Sequence, residues 1–162
     1  PPHKDNKNIV STPRERARMV SLAISGHRKF RLEDYELKRK DVSCSYGTME
    51  HFKELYPEDH FYFIIGADSL FSIEQWVHVE RLFPTCTILA AYRDDKSSRE
   101  VMGRQIRRLT EKYGADIRLL NTPLVDVSSH ELRRMLRDRE DVGGLMPEAV
   151  VDYIHRNQLY TS

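Results

Sequence analysis

The fold of this chain is decided by the stretch Phe61-Tyr62-Phe63-Ile64-Ile65-Gly66-Ala67-Asp68-Ser69-Leu70. A short, continuous apolar run that ends at a glycine is typical of a strand buried in a parallel sheet. Gly66 lets a ligand or another backbone come close, and Asp68 can cap a helix while offering two acceptor oxygens. Ligands of open α/β sheets bind beyond the carboxyl ends of the strands, so function is expected around Gly66 and Asp68.

Strands and helices alternate along the rest of the sequence. Besides the strand at 61–65, strands are predicted at 85–92 and 117–120, and a strand or extended segment at 30–37. Helices are predicted from Pro13, from Ser45 or Thr48, after Asp68, near Val79, from Ser97 or Ser98, after Val127 and from Pro147. The alternation predicts an α/β fold in which helices flank a mostly parallel sheet. The 162 residues are expected to form a single domain, 1–162.

Helix starts are marked by two capping boxes, Thr12-Pro13-Arg14-Glu15 and Ser128-Ser129-His130-Glu131. The second box places two hydroxyl groups and free backbone N–H groups at a helix N-terminus, which attracts anions. Arg133 lies within the first turns of this helix, where its guanidinium group can bind phosphate oxygens. A plain cap with a solvated arginine is the alternative interpretation.

The composition disfavours several classes of function. A formal net charge of +1 predicts binding neither to nucleic acid nor to a membrane. No stretch has the length and apolar character of a membrane-spanning helix. Cys44 and Cys86 lack the spacing of metal ligands, so no metal site made by protein side chains is predicted. Two cysteines without a disulfide framework favour a reducing, cytoplasmic location.

Four short patterns follow one another along the chain. They are Pro1-Pro2-His3-Lys4, Ser45-Tyr46-Gly47, Ile65-Gly66-Ala67-Asp68 with Trp76 shortly after, and Val127-Ser128-Ser129-His130-Glu131-Leu132-Arg133. In this order and spacing they resemble the bacterial nicotinate-nucleotide adenylyltransferases over nearly the whole chain. The resemblance implies a Rossmann-like nucleotidyltransferase fold. It also implies transfer of the adenylyl group of ATP to nicotinate mononucleotide, which gives deamido-NAD and pyrophosphate in NAD biosynthesis.

The chain departs from the family pattern at two positions and in one segment. Gly47 and His130 stand where family members carry, or usually carry, threonine. The amino-terminal Gly-x-Phe-Asp-Pro-x-His-x-Gly-His stretch, whose histidines hold the ATP phosphates, is not in this sequence. The resemblance therefore implies that the first strand–helix unit is absent, which would leave an unoccupied position beside the strand at 61–65. We expect this polypeptide to have no adenylyltransferase activity by itself.

The resemblance also implies the ligand-binding residues. ATP is assigned to Gly66, Asp68, Ser128, Ser129 and Arg133. Arg133 is the predicted catalytic residue because it would stabilise the charge of the leaving pyrophosphate, together with Mg²⁺ bound with ATP. Nicotinate mononucleotide is assigned to Lys4, Tyr46, Gly47, Trp76, Val77 and Arg93.

Trp76 is the residue that points to a pyridine substrate. Its sequence neighbours Glu74, Gln75 and His78 are polar, so we expect the indole ring to line an accessible pocket instead of being fully buried. In the family this ring stacks on the pyridine ring. The backbone N–H groups of Val77 and near Gly47 would then meet the nicotinate carboxylate.

Two other interpretations remain open. One is a related adenylyltransferase for another phosphorylated acceptor such as pantetheine phosphate, against which Trp76 argues. The other is a non-catalytic nucleotide- or nucleic-acid-binding module, although the basic clusters lie beside acids such as Glu100, Glu111 and Asp138. The sequence leaves the oligomeric state open, with a homo-oligomer as one alternative.

Overall fold

The structure, a computed structural model, describes residues 11–92, 96–122 and 127–161. These residues form two compact units. The first unit contains residues 41–92 and 96–122, and the second contains residues 11–40 and 127–161. The single domain expected from the sequence stays a prediction, since two compact units can belong either to one domain or to two.

The described residues contain eight α-helices and three strands. The helices are α1 (Pro13–Ala23), α2 (Tyr35–Lys38), α3 (Ser45–Leu55), α4 (Ala67–Ser72), α5 (Val79–Leu82), α6 (Lys96–Tyr113), α7 (Ser129–Arg137) and α8 (Glu148–Arg156). The strands are β1 (Tyr62–Gly66), β2 (Thr87–Tyr92) and β3 (Ile117–Asn121). Short 3-10 turns lie at Ile73–Gln75 and Phe83–Thr85. Within this part of the chain, no helix has the length and apolar character needed to cross a membrane.

The first unit is built on a parallel sheet whose strand order is β1-β2-β3. Ala90 of the central strand pairs with Ile65 on one side and with Leu119 on the other. The predicted parallel sheet is therefore confirmed, with strand bounds that differ from the predicted ones by a residue or two. All three strands point the same way, so their carboxyl ends meet at one edge of the sheet.

The core of the first unit joins the sheet to α6 and to the segment between β1 and β2. Its most deeply buried apolar side chains are Leu70, Ile73, Leu82, Ile88, Met102 and Leu109. Met102 and Leu109 are seven residues apart on α6, which places them on the same face of the helix. Burying each such side chain stabilises the unit by about 1.5–3 kcal/mol.

The second unit packs α1, α7 and α8 around a separate apolar cluster. The buried members of this cluster are Leu136, Val142, Val150, Ile154 and Leu159. The capping box predicted for α1 is confirmed, because Glu15 N donates to Thr12 Oγ1 at 3.2 Å and Thr12 N donates to Glu15 Oε2 at 2.6 Å. The hydroxyl groups of Ser11 and Tyr160 lie 2.8 Å apart and join the two ends of this unit.

The strand or extended segment predicted at 30–37 is wrong for its second half. Residues 30–34 form a loop, and Tyr35–Lys38 form one turn of helix. Phe30 is 64% exposed, so the apolar alternation in this segment does not face a core. Lys38 Nζ lies 2.8 Å from Asp34 Oδ1, an i,i+4 ion pair that favours a helical turn over an extended chain.

The side of β1 that faces away from β2 carries no strand within the described residues. Two β1 side chains are strongly exposed, Tyr62 at 54% and Ile64 at 65%. These alternate side chains project from one face of the sheet, so the unoccupied position expected beside the strand at 61–65 stays a prediction. The absence of an amino-terminal segment itself stays a prediction.

A chain of hydrogen bonds ties together the amino-terminal ends of the three strands. The Thr87 hydroxyl donates to Asp116 Oδ2 at 2.6 Å and lies 2.9 Å from His60 Nε2. Arg118 donates to both oxygens of Asp116, at 3.2 and 2.9 Å. Hydrogen bonds from Arg118, and then from Thr87, lower the pKa of Asp116. Thr87 is only 1% exposed, so water cannot replace its partners.

We expect Thr87→Val to destabilise the protein by about 1–3 kcal/mol, because the change keeps the side-chain shape and removes both hydrogen bonds. The free energy of unfolding should be measured by urea titration at pH 7. Thr161→Val is the matched control, since the exposed Thr161 hydroxyl makes a local bond to the Gln158 carbonyl at 3.0 Å. Equal effects of the two changes would contradict a role for Thr87 in locking the strands.

Candidate functional site

A cavity of about 600 Å³ opens at the carboxyl ends of the parallel strands. It is lined by Gly66, Ala67, Asp68, Ser69, Ala91, Tyr92 and Thr122. These residues come from the end of β1, the start of α4, the end of β2 and the residue after β3. The cavity lies where open α/β sheets bind their ligands, and where the sequence predicts a binding site. That Gly66 and Asp68 bind ATP stays a prediction.

Gly66 ends β1 and faces open space. Apart from its chain neighbours, no atom of the described residues would lie within 4 Å of a Cβ atom added there, so packing among these residues does not require a glycine. Its φ of −81° is also accessible to any residue. The feature that distinguishes Gly66 is therefore its position on the cavity wall, where the missing side chain leaves room for a ligand.

Asp68 lies in the first turn of α4 with its side chain exposed at the cavity. The expectation that it caps this helix is wrong, because the N-cap residue is Gly66 and no side chain caps the helix. The carboxylate is consequently not used to hold the helix start. Two acceptor oxygens at a cavity wall suit a ligand with neighbouring hydroxyl donors, such as a ribose.

A second group of predicted residues lies where α3 meets the turn that carries Trp76. The ring of Tyr46 meets the ring of His78 nearly perpendicularly, with 5.2 Å between centroids. Gly47 follows Tyr46 in α3, and Val77 precedes His78. The structure therefore places the predicted donors at 46–47 and at 77 on two elements that are in contact.

Trp76 is half-buried. Its ring packs edge to face against Phe63, with 6.2 Å between centroids, and it borders the core of the first unit. The ring is therefore not sealed in the core, and it is not one of the side chains that line the cavity at Gly66. The neighbouring Val77 is 42% exposed. That Trp76 lines a pyridine pocket stays a prediction.

Glu74 anchors the chain immediately before Trp76 to α6. Its carboxylate accepts hydrogen bonds from Arg108 at 2.5 Å, Lys112 at 2.9 Å and Tyr113 at 3.1 Å. Lys112 contributes most to lowering the pKa of Glu74, which falls to about 2. The Glu74 side chain is 21% exposed, so this ion-pair cluster is partly shielded from water.

The predicted phosphate-binding residues of α7 lie in the second unit. The Ser128 hydroxyl accepts from Glu131 N at 3.1 Å, which confirms the cap. The reciprocal bond from the Glu131 side chain is not present among the described contacts of α7. Ser129 and Arg133 are exposed, and no described acid lies within ion-pair distance of Arg133. That Ser128, Ser129 and Arg133 bind phosphate stays a prediction.

Two assigned residues, Lys4 and Arg93, lie outside the described residues. Sequence reasoning missed the ion pairs around the turn at 76–78. Glu74 meets partners 34 to 39 residues away, and Arg81 meets Glu50 at a separation of 31 residues. No local spacing signals such contacts. Tyr92 and Ala91, by contrast, could have been named from the predicted end of the strand at 85–92.

Known proteins similar in sequence to this chain are nucleotidyltransferases. Residues 1–135 match the family described as cytidylyltransferase-like. Relatives named "Probable nicotinate-nucleotide adenylyltransferase" are 37% identical in Clostridium acetobutylicum and 34% identical in Clostridium botulinum. Each alignment runs over 161 residues, which is 99% of this chain and 79% of the relative. The chain belongs to the nicotinate-nucleotide adenylyltransferase family.

Solved structures agree on the fold of this adenylyltransferase family member. A Plasmodium falciparum nicotinic acid mononucleotide adenylyltransferase complexed with NaAD aligns with a TM-score of 0.72 and 23% identity, covering 96% of this chain and 78% of that one. The same enzyme complexed with APC gives a TM-score of 0.70 over 93% and 76% of the two chains. The predicted Rossmann-like nucleotidyltransferase fold, with helices flanking a parallel sheet, is confirmed.

We expect the Glu74 cluster to make stability depend on acidic pH. The folded-state pKa of about 2 lies below the ordinary value of 4.5. The cluster therefore contributes its full stabilisation above pH 4.5 and loses it as the pH falls toward 2. Glu74→Gln should lower the free energy of unfolding at pH 7, and the difference from the original protein should shrink below pH 4.5.

Urea titrations at pH 7, 4.5 and 3 would measure this difference. The control is Glu111→Gln, which removes an exposed glutamate from α6 itself. A Glu74→Gln effect that is the same at all three pH values would rule out the ion-pair cluster as its cause.

Proposed function

We propose that this protein transfers the adenylyl group of ATP to nicotinate mononucleotide, giving deamido-NAD and pyrophosphate in NAD biosynthesis. The observation that carries the proposal is the 33–37% identity to nicotinate-nucleotide adenylyltransferases over 99% of the chain. A cavity at the carboxyl ends of the strands supports it, because nucleotides bind there in folds of this class. The proposed location is the cytoplasm, with neither nucleic acid nor a membrane as partner.

The cavity at the strand ends is the proposed place of the ATP nucleoside. Gly66 leaves room on its wall, and Asp68 accepts hydrogen bonds from the ribose hydroxyl groups. Mg²⁺ bound with ATP is the proposed cofactor, with phosphate oxygens of the nucleotide as its ligands. When bound, Mg²⁺ supplies charge neutralisation to the phosphate groups.

The start of α7 is the proposed phosphate site. The Glu131 N–H group of its first turn donates to the Ser128 hydroxyl, whereas the N–H groups of Ser129 and His130 have no acceptor within the helix and attract anions together with the helix dipole. In the proposed reaction a phosphate oxygen of the acceptor forms a bond to the α-phosphorus of ATP, and the bond to the β-phosphate oxygen breaks. Ser128, Ser129 and Arg133 bind the phosphate oxygens, and Arg133 stabilises the negative charge on the leaving pyrophosphate.

The contact between α3 and the turn at 76–78 is the proposed pyridine subsite. Trp76 stacks on the ring, and backbone N–H groups near Gly47 and at Val77 donate to the nicotinate carboxylate. Tyr46 contacts the turn through His78. Lys4 and Arg93, which lie outside the described residues, are proposed to contact the phosphate of nicotinate mononucleotide. A homo-oligomer is compatible with this arrangement.

Trp76 is the only tryptophan of the chain, so its fluorescence reports directly on the proposed pyridine subsite. We expect nicotinate mononucleotide to quench this emission. Nicotinamide mononucleotide should bind more weakly by about 1–3 kcal/mol, or roughly 5- to 150-fold, because its amide NH₂ group would oppose a backbone donor. Fluorescence titration with both ligands, with AMP as the control, measures the difference. Equal affinity for the acid and the amide would contradict the proposed subsite.

Arg133→Ala should weaken ATP binding by roughly 10- to 100-fold, since a charged hydrogen bond contributes about 1.5–3 kcal/mol. Its effect on nicotinate mononucleotide binding should be small. Isothermal titration calorimetry with each ligand measures both affinities. Arg137→Ala is the matched control, because Arg137 is an exposed arginine one helical turn farther from the start of α7. Unchanged ATP affinity in the Arg133 variant would remove the role proposed for this residue.

A further inference from the structure

Four side chains form a single block between α3 and the turn at 76–78. Arg81 donates through Nε and Nη2 to the two carboxylate oxygens of Glu50, at 2.8 and 2.6 Å. The same guanidinium group lies over the ring of Tyr46, 4.5 Å from its centroid. Tyr46 in turn meets the His78 ring edge to face at 5.2 Å. We name this group, Tyr46, Glu50, His78 and Arg81, the Arg81 clamp.

Arg81 contacts α3 through two side chains on one face of that helix. Tyr46 and Glu50 are four residues apart in α3, which places them on adjacent turns of the same face. A planar guanidinium group can bind a carboxylate with both nitrogens while stacking on an aromatic ring, and lysine cannot do both. Arg81 therefore sets both the rotation and the distance of α3 relative to the turn.

The backbone beside the clamp is held in an uncommon conformation. His78 has φ 50° and ψ 48°, in the left-handed region. This conformation is unfavourable for a residue with a side chain, and it persists where neighbouring contacts hold it in place. Contacts of the His78 ring with Tyr46 and with Glu80, whose Oε1 lies 3.1 Å from Nδ1, supply such constraints. The clamp thereby holds the backbone at His78, the residue directly after the Val77 N–H group that is proposed to bind nicotinate.

The start of α3 leaves backbone donors near the clamp. Its N-cap residue, Cys44, makes no side-chain bond to the first turn. The N–H groups of that turn, which include those of Tyr46 and Gly47, have no acceptor within the helix. Nicotinate recognition by these donors and by Val77 requires that the two elements keep a fixed separation, because hydrogen bonds weaken steeply with misplacement.

We propose that Arg81 is a positioning residue of the pyridine subsite, holding the first turn of α3 and the turn at 76–78 at the separation that a nicotinate carboxylate spans. The inference rests on the proposed function and adds to it a residue that is not itself expected to touch the substrate. Arg81 and Glu50 side chains are 51% and 32% exposed. An ion pair this exposed contributes little to overall stability. Stabilisation of the fold therefore does not account for the contacts of Arg81 with both Glu50 and Tyr46.

The test measures binding and stability together in the Arg81→Met variant. We expect nicotinate mononucleotide affinity to fall about tenfold, because small misplacement of binding groups has effects of this order or larger. ATP affinity and the thermal unfolding midpoint should stay close to those of the original protein. Arg81→Lys keeps the charge and should show a smaller loss in the same direction. Titrations follow Trp76 fluorescence for the mononucleotide and calorimetry for ATP.

Arg118→Met is the matched control, since Arg118 also binds both oxygens of an acid, Asp116. This pair lies at the amino-terminal ends of the strands and has no part in the Arg81 clamp. It should leave mononucleotide affinity unchanged. An Arg81→Met protein that binds the mononucleotide as the original does would overturn the inference. Equal losses of mononucleotide affinity, ATP affinity and thermal midpoint would also overturn it, because they indicate a general structural role.

Acrylamide quenching of Trp76 without ligand separates this inference from the proposed function. Loosening the turn should increase the quenching in Arg81→Met and not in Arg118→Met. Increased quenching together with a lack of mononucleotide binding by the original protein would support the clamp and contradict the proposed function. Unchanged quenching in Arg81→Met would overturn the positioning role, whatever the original protein binds.

Discussion

Parallel pairing of three strands around the buried strand β2 is the constraint on which the rest of the first unit depends. Ile88 and Ala90 are fully buried at its centre, and β1 and β3 pair with it on either side. Because the strands run in one direction, every strand ends at the same edge of the sheet. The residues that follow them, including Asp68 and Thr122, are thereby brought to one cavity although they are far apart in the sequence.

The two ends of this sheet have opposite chemistry. At the amino-terminal ends, Thr87, Asp116 and His60 satisfy one another's hydrogen-bonding groups and hold the strands in register. At the carboxyl ends, Gly66 faces open space and the Asp68 side chain is exposed. An end whose polar groups already have partners stabilises the fold, whereas an end with exposed acceptors and free room can bind a ligand. This division is why the ATP nucleoside is proposed to bind at the carboxyl ends.

The turn that carries Trp76 is held from both sides by ion pairs. Glu74 fastens its beginning to α6, and Arg81 fastens the following helix to α3. A short turn with few backbone hydrogen bonds has little rigidity of its own, so its geometry depends on these side chains. Recognition of the pyridine ring, as proposed here, thus relies on residues that lie outside the family motifs.

The sequence by itself determined the features that depend on neighbouring residues. Apolar runs located β1, β2 and β3, the Thr12–Glu15 pattern located the start of α1, and Gly114, with φ 66°, marks the end of α6. The same local reasoning was wrong at 35–37 and at Asp68. A segment of alternating apolar residues forms a strand only when another strand pairs with it. A side chain caps a helix only if the helix begins directly after that residue, and α4 begins before Asp68.

Only the tertiary structure decided which distant residues meet. Glu50 and Arg81 are separated by 31 residues, and Glu74 and Lys112 by 38, with no periodicity that links either pair. Such contacts arise because burial of the core fixes the positions of whole helices and strands, and long polar side chains then find partners across the surfaces that packing brings together.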